Sequence, residues 1–569
     1  MAAGGNKDLT CHSKVIQFWS SHPTTHMVFL KLVASVAGTL GAYALYTVVR
    51  VFYLERTSPL QSVPGPKSSH WLLGNLKEVM PNEVRALDYL PQEKWTSQYG
   101  RTIRFNSFVG FGQLYTIDPK ALNHVLSNAY TYQKSEISRY ILGKIIGPGI
   151  LLVEEDVHRK QRKIMNPAFG PAQVRDLTSV FVEKSSQLRD VWMAETVSGG
   201  GAVKVNIIPW LDKATLDIIG LAGFNYKFNA LGASGAVRDE LDEALATALA
   251  SVGLGTILKG LIPVLRVVPT PVDKVIRHSQ AVMARISRVL LENSKKELAE
   301  SGAFGNGGGR DLLTLLVRAN TSKDVPEHQR LTDADVLAQV SNFLVAGHET
   351  ISSGAVWALF ALSKNIAVQM MLRAELLAVG TDNPTMDELN ALQYLDCVVR
   401  ETLRLHAPVT QSARVAMCDD VIPLSTPYVD VHGNVRESFR IMKGQPVVIP
   451  ILALNRDTTI WGPDALEFKP ERWDSKNPIS TSIPGVWGEM LTFIGGPRAC
   501  IGYRFALVEL KALLFTLVRG LEFELAVPAA DIGAQSTVLV QRPIVLSDVA
   551  TGNQGGNQLP LLIKPFIRS

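Results

Sequence analysis

Phe493-Ile494-Gly495-Gly496-Pro497-Arg498-Ala499-Cys500-Ile501-Gly502 places a cysteine at the end of a tight Gly/Pro loop. The apolar run that follows, residues 505–514, predicts a helix beginning near Cys500. Free N–H groups and the positive end of the dipole at a helix N-terminus favour negative charge, so we expect the thiolate form of this cysteine. The stretch therefore predicts a cysteine ligand, and the rest of the chain is interpreted around it.

The neighbours of Cys500 suit a flat and acidic ligand. Gly495 and Gly502 have no Cβ, so a flat group could lie close to the backbone on both sides of the sulfur. Phe493 would shield the sulfur, and Arg498 offers a cation for an acidic group. An iron porphyrin with propionates, with Cys500 as axial ligand of the iron, fits these features. The alternative is a buried structural cysteine in a Gly-rich turn.

The ten-residue pattern resembles the haem loop of cytochrome P-450 monooxygenases, F-x-x-G-x-R-x-C-x-G, at all five fixed positions. The resemblance implies a mostly α fold with a small β-rich subdomain, the cytochrome P-450 fold. It also implies haem b as cofactor, with its iron held by Cys500. The haem-binding residues of the loop would be Phe493, Gly495, Arg498 and Gly502.

Composition excludes several other classes of protein. The four cysteines of the 569-residue chain are too few and too scattered for a disulfide framework or a zinc site, which indicates a reducing compartment. The net charge of +5 comes without a basic stripe interleaved with aromatic residues, so nucleic-acid binding is not expected. Two glycine runs, 199–201 and 302–309, predict loops and do not form a dinucleotide-binding fingerprint. Residues 102–117 alternate as in a β-hairpin.

Residues 32–49 form an uncharged stretch of eighteen residues near the N-terminus, which predicts a single-pass transmembrane helix. A buried core helix is the alternative. The flanking lysines and arginines balance, so charge does not determine the orientation. The family resemblance implies the endoplasmic reticulum membrane, with the catalytic domain on the cytosolic side. The expected organisation is an N-terminal tail (1–26), a transmembrane anchor (27–53), a proline-rich hinge (54–76) and a catalytic domain (77–569).

Residues 154–169 predict a basic helix that ends before Pro167. The segment resembles the C-helix of the family, W-x-x-x-R, in which Arg162 matches the arginine and His158 stands in place of tryptophan. The resemblance implies that Arg162 and His158 reach a haem propionate. The remaining cations either form a solvated face or meet an acidic redox partner; they are Arg159, Lys160 and Lys163.

Residues 332–364 predict one long helix, with Thr332 and Asp335 as a capping pair. The pentapeptide AGHET lies in its middle, at residues 346–350. A glycine there costs about 1 kcal/mol of helix stability, which indicates a close approach by another group. An adjacent acid and hydroxyl could hold water and pass protons to a ligand above the helix. The pentapeptide resembles the oxygen-activation motif of the family, and the resemblance implies that Glu349 and Thr350 are catalytic.

Glu401 and Arg404 lie three residues apart on a predicted helix and can form an ion pair, for which an ordinary surface pair is the alternative. Arg472 follows at the order and distance typical of the family. The resemblance implies that Glu401, Arg404 and Arg472 lock the core beside the haem, a structural role, and that Arg414 reaches a propionate. The expected walls of the substrate pocket are residues 137–152, 245–268, 340–344, 409–413 and a strand pair at 537–546. The resemblance implies that residues 245–268 form the roof helices of the family, for which an ordinary core helix is the alternative.

The resemblance implies a monooxygenase that uses O2 to oxidise a lipophilic molecule. No flavin or nicotinamide motif is visible, so NADPH and flavins would act only through a separate NADPH–cytochrome P-450 reductase, with cytochrome b5 as a second candidate partner. The alternatives are a haem-thiolate isomerase or dehydratase that uses no O2, and a non-catalytic haem carrier or sensor. The motifs look most like those of fungal microsomal members, which favours a terpenoid substrate. A sterol, a fatty acid or an aromatic xenobiotic also fits.

Overall fold

The computed structural model describes residues 23–79, 85–87, 91–232, 239–300, 310–322, 325–474, 482–537, 539–551 and 556–567. Most of the expected N-terminal tail, residues 1–22, and the predicted loop at 302–309 lie outside the described residues. The chain divides into two compact units, Met1–Gln61 and Ser62–Ser569.

In the first unit, the described chain is dominated by helix α1, Pro23–Arg56, which is 34 residues long. Several of its large apolar side chains are exposed, among them Leu32, Tyr43, Leu45, Tyr46 and Val49. Within the described part of the chain, no single helix has both the length and the apolar character needed to cross a membrane. Two bent helix pairs, residues 240–250 with 255–261 and 327–364 with 366–377, meet that requirement by length and composition.

The second unit is mostly helical, as predicted. Its described α-helices are α2 (Leu76–Val79), α3 (Pro91–Tyr99), α4 (Pro119–Ser127), α5 (Glu136–Ile146), α6 (Glu155–Met165), α7 (Pro171–Ser198), α8 (Ile208–Phe224), α9 (Glu240–Ala250), α10 (Leu254–Leu261), α11 (Pro271–Glu300), α12 (Leu312–Thr321), α13 (Asp333–Lys364), α14 (Ile366–Leu377), α15 (Met386–Ala391), α16 (Gln393–Leu405), α17 (Ile451–Asn455), α18 (Thr458–Trp461), α19 (Tyr503–Gly520) and α20 (Leu546–Ala550).

The strands of this unit form small sheets, which also agrees with the prediction. They are β1 (Arg85–Ala86), β2 (Thr102–Asn106), β3 (Gly112–Thr116), β4 (Tyr132–Gln133), β5 (Val203–Asn206), β6 (Ser412–Ala416), β7 (Asp420–Val429), β8 (Val435–Ile441), β9 (Pro446–Ile449), β10 (Leu521–Leu525), β11 (Ile532–Ser536), β12 (Gln541–Val545) and β13 (Pro560–Pro565). Their orders are β2-β3-β9-β6-β4, β1-β11-β12, β10-β13-β5 and β7-β8.

The predicted hairpin at 102–117 is present as the antiparallel pair β2–β3. The predicted strand pair at 537–546 is displaced, because β11 and β12 span residues 532–536 and 541–545, so the range covers only the second strand and the turn before it. The predicted glycine loop at 199–201 forms the turn between α7 and β5.

Helix α13 runs through the middle of this unit. Thr332 caps it by accepting a hydrogen bond from the backbone N–H of Asp335, whose side chain reaches back to the Thr332 N–H, so the predicted capping box is present. A Cβ at Gly347 would lie 2.8 Å from Cδ1 of Ile219 on α8. The close approach that the sequence indicates at this glycine is therefore the packing of α8 against α13.

Helix α19 follows the Cys500 loop and is buried along most of its length. It packs against α7, where the rings of Phe181 and Phe505 lie 4.8 Å apart in an edge-on arrangement. It also packs against α13. Through α19, the C-terminal end of the cysteine loop is therefore anchored to α7 and α13, which are two of the three longest described helices of this unit.

Candidate active site

Main-chain hydrogen bonds close the loop that carries Cys500. The Cys500 N–H donates to the Phe493 carbonyl at 2.9 Å, and the Ala499 N–H donates to the Gly496 carbonyl at 3.0 Å. The Phe493 ring packs against Tyr503, with ring centroids 6.1 Å apart. These contacts fix the sulfur directly before α19, close to where the sequence predicts the helix to begin.

The two glycines beside the sulfur have different reasons to be glycine. A Cβ at Gly495 would lie 1.6 Å from the carbonyl oxygen of Pro484, so the neighbouring backbone excludes any side chain there. At Gly502 the nearest atom would be Cε1 of Phe169 at 3.6 Å, an ordinary contact. The expectation that both glycines make room for a ligand is wrong for Gly495, where the protein itself fills that space.

The expectation of a favoured thiolate at Cys500 needs correction for the protein alone. Burial raises the pKa of the Cys500 thiol, while the Gly502 backbone N–H and the Arg162 charge act in the opposite direction. The helix-terminus argument counted only the favourable groups and neglected the cost of desolvating the charge. Cys500 is nevertheless partly accessible. A metal cation at the sulfur would offset the cost of burial and remove the thiol proton.

A group of basic side chains with few anions lies near the Cys500 loop. We call Lys134, Arg414 and Arg498 the cation cluster, and His158 lies beside it. Burial lowers the pKa of Arg414 to about 10 and that of Arg498 to about 10. Burial also lowers the pKa of Lys134 well below its ordinary value, and the charges of Arg414 and Arg498 lower it further. The pKa of His158 falls to about 4 through burial and the nearby charges of Lys134 and Arg162.

Within the described residues, the acid paired with this cluster is Glu154. It forms an ion pair with Arg498 and lies 3.9 Å from Lys134 Nζ. Arg498 also donates to the Val153 carbonyl at 2.7 Å, while Arg414 donates to the Ala413 carbonyl at 2.8 Å. One carboxylate among several desolvated cations leaves an excess of positive charge, so the cluster suits an additional anionic ligand.

Arg162 ties α6 to the cysteine loop. It donates to the carbonyl of Ala499 and, at 2.9 Å, to Oδ1 of Asn166. The structure thus places Arg162 and His158 on the same helix, one directed at the loop and the other buried beside Lys134. Helix α6 ends at Met165, which confirms the predicted end before Pro167.

Sequence reasoning missed Lys134. This lysine follows the two-residue strand β4, and no motif surrounds it. Only the fold brings it to Arg414 on β6, because β4 pairs with β6 in the five-stranded sheet. The residues next to it, Gln133, Ser135 and Glu136, are polar, so the sequence offers no signal that distinguishes this lysine from a surface lysine.

The AGHET segment is a partly accessible window in an otherwise buried stretch of α13. Residues 339–345 and 351–363 are buried, whereas residues 346–350 are not. The Thr350 hydroxyl donates to the Ala346 carbonyl at 2.6 Å, which leaves the lone pairs of its Oγ1 free to accept. Burial raises the pKa of Glu349, and the charges of His348 and Arg542 oppose that shift.

Amide side chains on α13 hold the loop at residues 147–153 in place. Oε1 of Gln339 accepts from the Ile150 N–H at 3.0 Å, and Oδ1 of Asn342 accepts from the Leu151 N–H at 3.2 Å. Asn342 also donates to the Ile146 carbonyl at 3.0 Å. Two segments predicted to line the pocket, 137–152 and 340–344, are therefore brought together by polar residues that the apolar pattern did not single out.

The roof segment predicted at 245–268 consists of the end of α9, α10 and a short 3₁₀ turn at Pro263–Val267. Several apolar side chains of this segment are exposed, including Val264 and Val267. Beneath it, a cavity of about 190 Å³ is lined in part by Tyr140 and Lys144 of α5.

The three residues expected to lock the core form one buried network. Arg404 makes a two-pronged contact with Glu401, from NH2 at 2.8 Å and from Nε at 2.9 Å, and both side chains are fully buried. Nε of Arg472 lies 3.4 Å from the same carboxylate. Trp473, which the sequence analysis did not include, donates to Glu401 through its ring N–H at 2.9 Å. Full burial excludes the alternative of an ordinary surface pair.

Residues 64–545 match the model of the cytochrome P450 family. The chain belongs to the cytochrome P450 family. It is 49% identical to cytochrome P450 monooxygenase 205 of Postia placenta over 533 residues, which cover 92% of this chain and 96% of that protein. Cytochrome P450 monooxygenase 128 of the same fungus is 48% identical over 546 residues, 94% and 98% of the two chains. Cytochrome P450 monooxygenase claW of Ampulloclitocybe clavipes is 34% identical over 530 residues, 92% and 95%.

These relatives confirm the resemblance to fungal cytochrome P450 monooxygenases and identify the chain as an enzyme of this type. Membership of the family implies a haem cofactor. The residues present fit that group, because Cys500 is partly accessible and the cation cluster has an excess of positive charge that suits two propionates. Cys500 would hold the iron, and the cation cluster would hold the carboxylates.

Proposed function

We propose that this P450 is a membrane-anchored monooxygenase that oxidises a lipophilic small molecule, with a terpenoid as the first candidate. The observation that carries the proposal is the window at residues 346–350, where α13 is accessible beside an acid and a hydroxyl. A haem held by Cys500 supplies the activation of O2 and the oxidation of the substrate when it is bound.

The residues of the window are suited to proton delivery. The Thr350 hydroxyl donates a hydrogen bond to the Ala346 carbonyl, so its oxygen can accept a hydrogen bond from a water in the window. Glu349 has a raised pKa, which brings it closer to the neutral range in which a general acid works well. The pair can therefore hold a water and pass protons to a ligand at the window, while the buried turns on either side exclude bulk solvent.

Electrons would come from NADPH through a separate flavin-containing reductase, with cytochrome b5 as a second donor. The support is the exposed basic side of α6, where Arg159 and Lys163 point into solvent. Arg159 is partly neutralised by Asp156 at 2.9 Å. An acidic partner surface would dock here by charge complementarity, and the docking would weaken as salt is added.

The proposed location is the endoplasmic reticulum membrane, with the catalytic unit on the cytosolic side. The support for this proposal is the uncharged stretch at residues 32–49, which lies within α1 and exposes several apolar side chains. A truncated protein that begins at Ser58 should leave the membrane fraction. Continued membrane association of that truncation would instead assign the anchoring to another surface, such as the exposed valines near residue 264.

The decisive test of the haem-thiolate assignment is the absorption spectrum of the reduced protein with carbon monoxide. The expected band is that of a thiolate-bound haem, and Cys500→Ala should abolish haem incorporation or leave an inactive protein. A well-folded wild-type protein without the thiolate-type band would refute the assignment, as would normal turnover by the alanine variant.

The type of reaction is tested by NADPH consumption with a reductase and a panel of lipids and terpenoids, followed by product analysis. A monooxygenase consumes NADPH and O2 and yields a product heavier by one oxygen. An isomerase or dehydratase converts substrate without either, and a haem carrier converts nothing. A product from a sterol, a fatty acid or an aromatic compound alone would replace the terpenoid assignment.

A further inference from the structure

An ion pair between Asp212 and Arg542 contacts Ser352, which lies about one helical turn beyond Glu349 on α13. The Ser352 hydroxyl donates to Asp212 of α8. Arg542 of β12 donates to Ser352 Oγ at 2.9 Å and to Asp212 Oδ1 at 2.8 Å. Ser352 is fully buried and Arg542 nearly so. Since residues three apart share one face of a helix, Glu349 and the Asp212–Arg542 pair lie on the same side of α13.

The position of Arg542 relative to α13 is fixed by the residue before it. The carbonyl of Gln541 accepts from the Ser353 hydroxyl at 2.8 Å and from the Trp357 ring N–H at 3.1 Å. Strand β12 is therefore attached to two consecutive turns of the helix. The guanidinium charge of Arg542 therefore has a fixed position, because its hydrogen bonds to Ser352 and Asp212 hold the side chain in one rotamer.

The charged groups that face Glu349 come from three elements. His348 lies on the same helix, Arg542 on β12 and Asp212 on α8. Burial raises the pKa of Glu349, the charges of His348 and Arg542 lower it, and the charge of Asp212 raises it. The two members of the ion pair thus act on this carboxyl in opposite directions, and Asp212 partly cancels Arg542.

We propose that the Asp212–Arg542 ion pair sets the charge state of the Glu349 carboxyl, and so the availability of the proton that this residue delivers. The inference deepens the proposed function, on which the catalytic role of Glu349 rests. Asp212 and Arg542 are positioning residues: they act through Glu349. The side chain of Asp212 is 32% exposed and that of Arg542 only 6%, so solvent reaches the pair from the Asp212 side.

The test is infrared spectroscopy of the haem-loaded protein across pH, with the Glu349 carboxyl band assigned by its loss in Glu349→Gln. Asp212→Asn should shift the titration of this band to lower pH, because the Arg542 charge is then no longer cancelled. Arg542→Gln should shift it to higher pH. Removing one nearby charge should shift the titration of this carboxyl by about one pH unit. The double variant should titrate close to the wild type.

Two controls separate charge from packing. Ser352→Ala removes hydrogen bonds and keeps both charges, so the Glu349 carboxyl should titrate in this variant as it does in the wild type. Arg542→Lys also keeps the positive charge, so the Glu349 titration should again stay near that of the wild type. If Asp212→Asn does not fold, Arg542→Gln and Arg542→Lys still decide the question. The inference would be overturned if the Glu349 titration moved in the same direction in Asp212→Asn and Arg542→Gln, or did not move in these variants when they are folded. A shift in Ser352→Ala as large as that in the charge variants would also overturn it.

The infrared result does not depend on catalysis. The carboxyl band would respond to the pair even if the protein consumed no NADPH, so a failure of the proposed function would leave this result standing. In an active preparation, the pH profile of product formed per NADPH should move in the same direction as the band in each variant.

Discussion

Replacing Glu401 by glutamine should lower the free energy of unfolding by about 3–5 kcal/mol, the range found when one partner of a buried ion pair is removed. The change keeps the shape of the side chain and removes its charge. Arg404 would then keep a buried charge with no carboxylate to balance it, since both side chains are fully buried.

The magnitude follows from the number of contacts that the carboxylate satisfies. The Glu401 carboxylate accepts hydrogen bonds from Arg404 Nε at 2.9 Å and from Arg404 Nη2 at 2.8 Å. It also accepts from the Lys469 backbone N–H at 3.1 Å and from the Trp473 ring N–H at 2.9 Å, and Arg472 Nε lies 3.4 Å away. A carboxamide can accept at one oxygen only, and its NH2 group would face donors. Losing two or three charge-assisted hydrogen bonds at roughly 1.5–3 kcal/mol each, less some relaxation, gives the stated range.

The assay is urea unfolding followed by far-ultraviolet circular dichroism, with haem content measured in parallel. Glu524→Gln is the matched control, because the Glu524–Lys564 pair has a similar contact of 2.7 Å but both side chains are more than a third exposed. Solvent and salt screen such a pair, so this variant should unfold close to the wild type. A Glu401→Gln midpoint no lower than that of the control would refute the reasoning.

Three further predictions concern the loop and the window. Gly495→Ala should destabilise the protein by about 1–3 kcal/mol or more, because the new Cβ would lie 1.6 Å from a backbone oxygen. Gly502→Ala should be tolerated, because the nearest atom to its Cβ would be 3.6 Å away. Equal midpoints of the two variants in thermal unfolding would contradict this reasoning. Thr350→Ala should divert reducing power to peroxide, with product per NADPH falling about tenfold; tight coupling in this variant would count against proton delivery at the window. The folded pKa of His158 is about 4, below its ordinary value, so the native state should lose stability as the pH falls from about 6.5 toward 4, with His158 contributing up to about 2 kcal/mol at pH 5. His158→Gln should reduce this loss in urea unfolding, and an unchanged pH dependence would show that the imidazole is not the group that titrates.

The sequence was informative where a function is carried by neighbours in the chain. The loop up to Cys500, the AGHET window and the Glu401–Arg404 pair lie within short segments, so their spacing could be interpreted directly. The helix bounds of α13 followed from its capping pair at Thr332, which is a local signal.

The sequence was less informative where the fold joins distant segments. Lys134 meets Arg414 only through strand pairing, and Asp212 meets Arg542 across 330 positions of the chain. Burial raises the pKa of the Cys500 thiol and opposes the effect of the helix terminus, and only the helix terminus was visible in the sequence. Distance along the chain and desolvation are the two quantities that local patterns do not contain.

The cation cluster has a consequence for how the enzyme accumulates in a cell. An empty copy keeps several positive charges close together out of water, with Glu154 as their paired acid among the described residues. A ligand with two carboxylates would relieve this repulsion in the folded chain, and its binding there would shift folding toward the native state by mass action. The yield of the protein in a production host should therefore follow the supply of porphyrin precursor. Copies made during iron or porphyrin starvation should be degraded faster than copies made when haem is available.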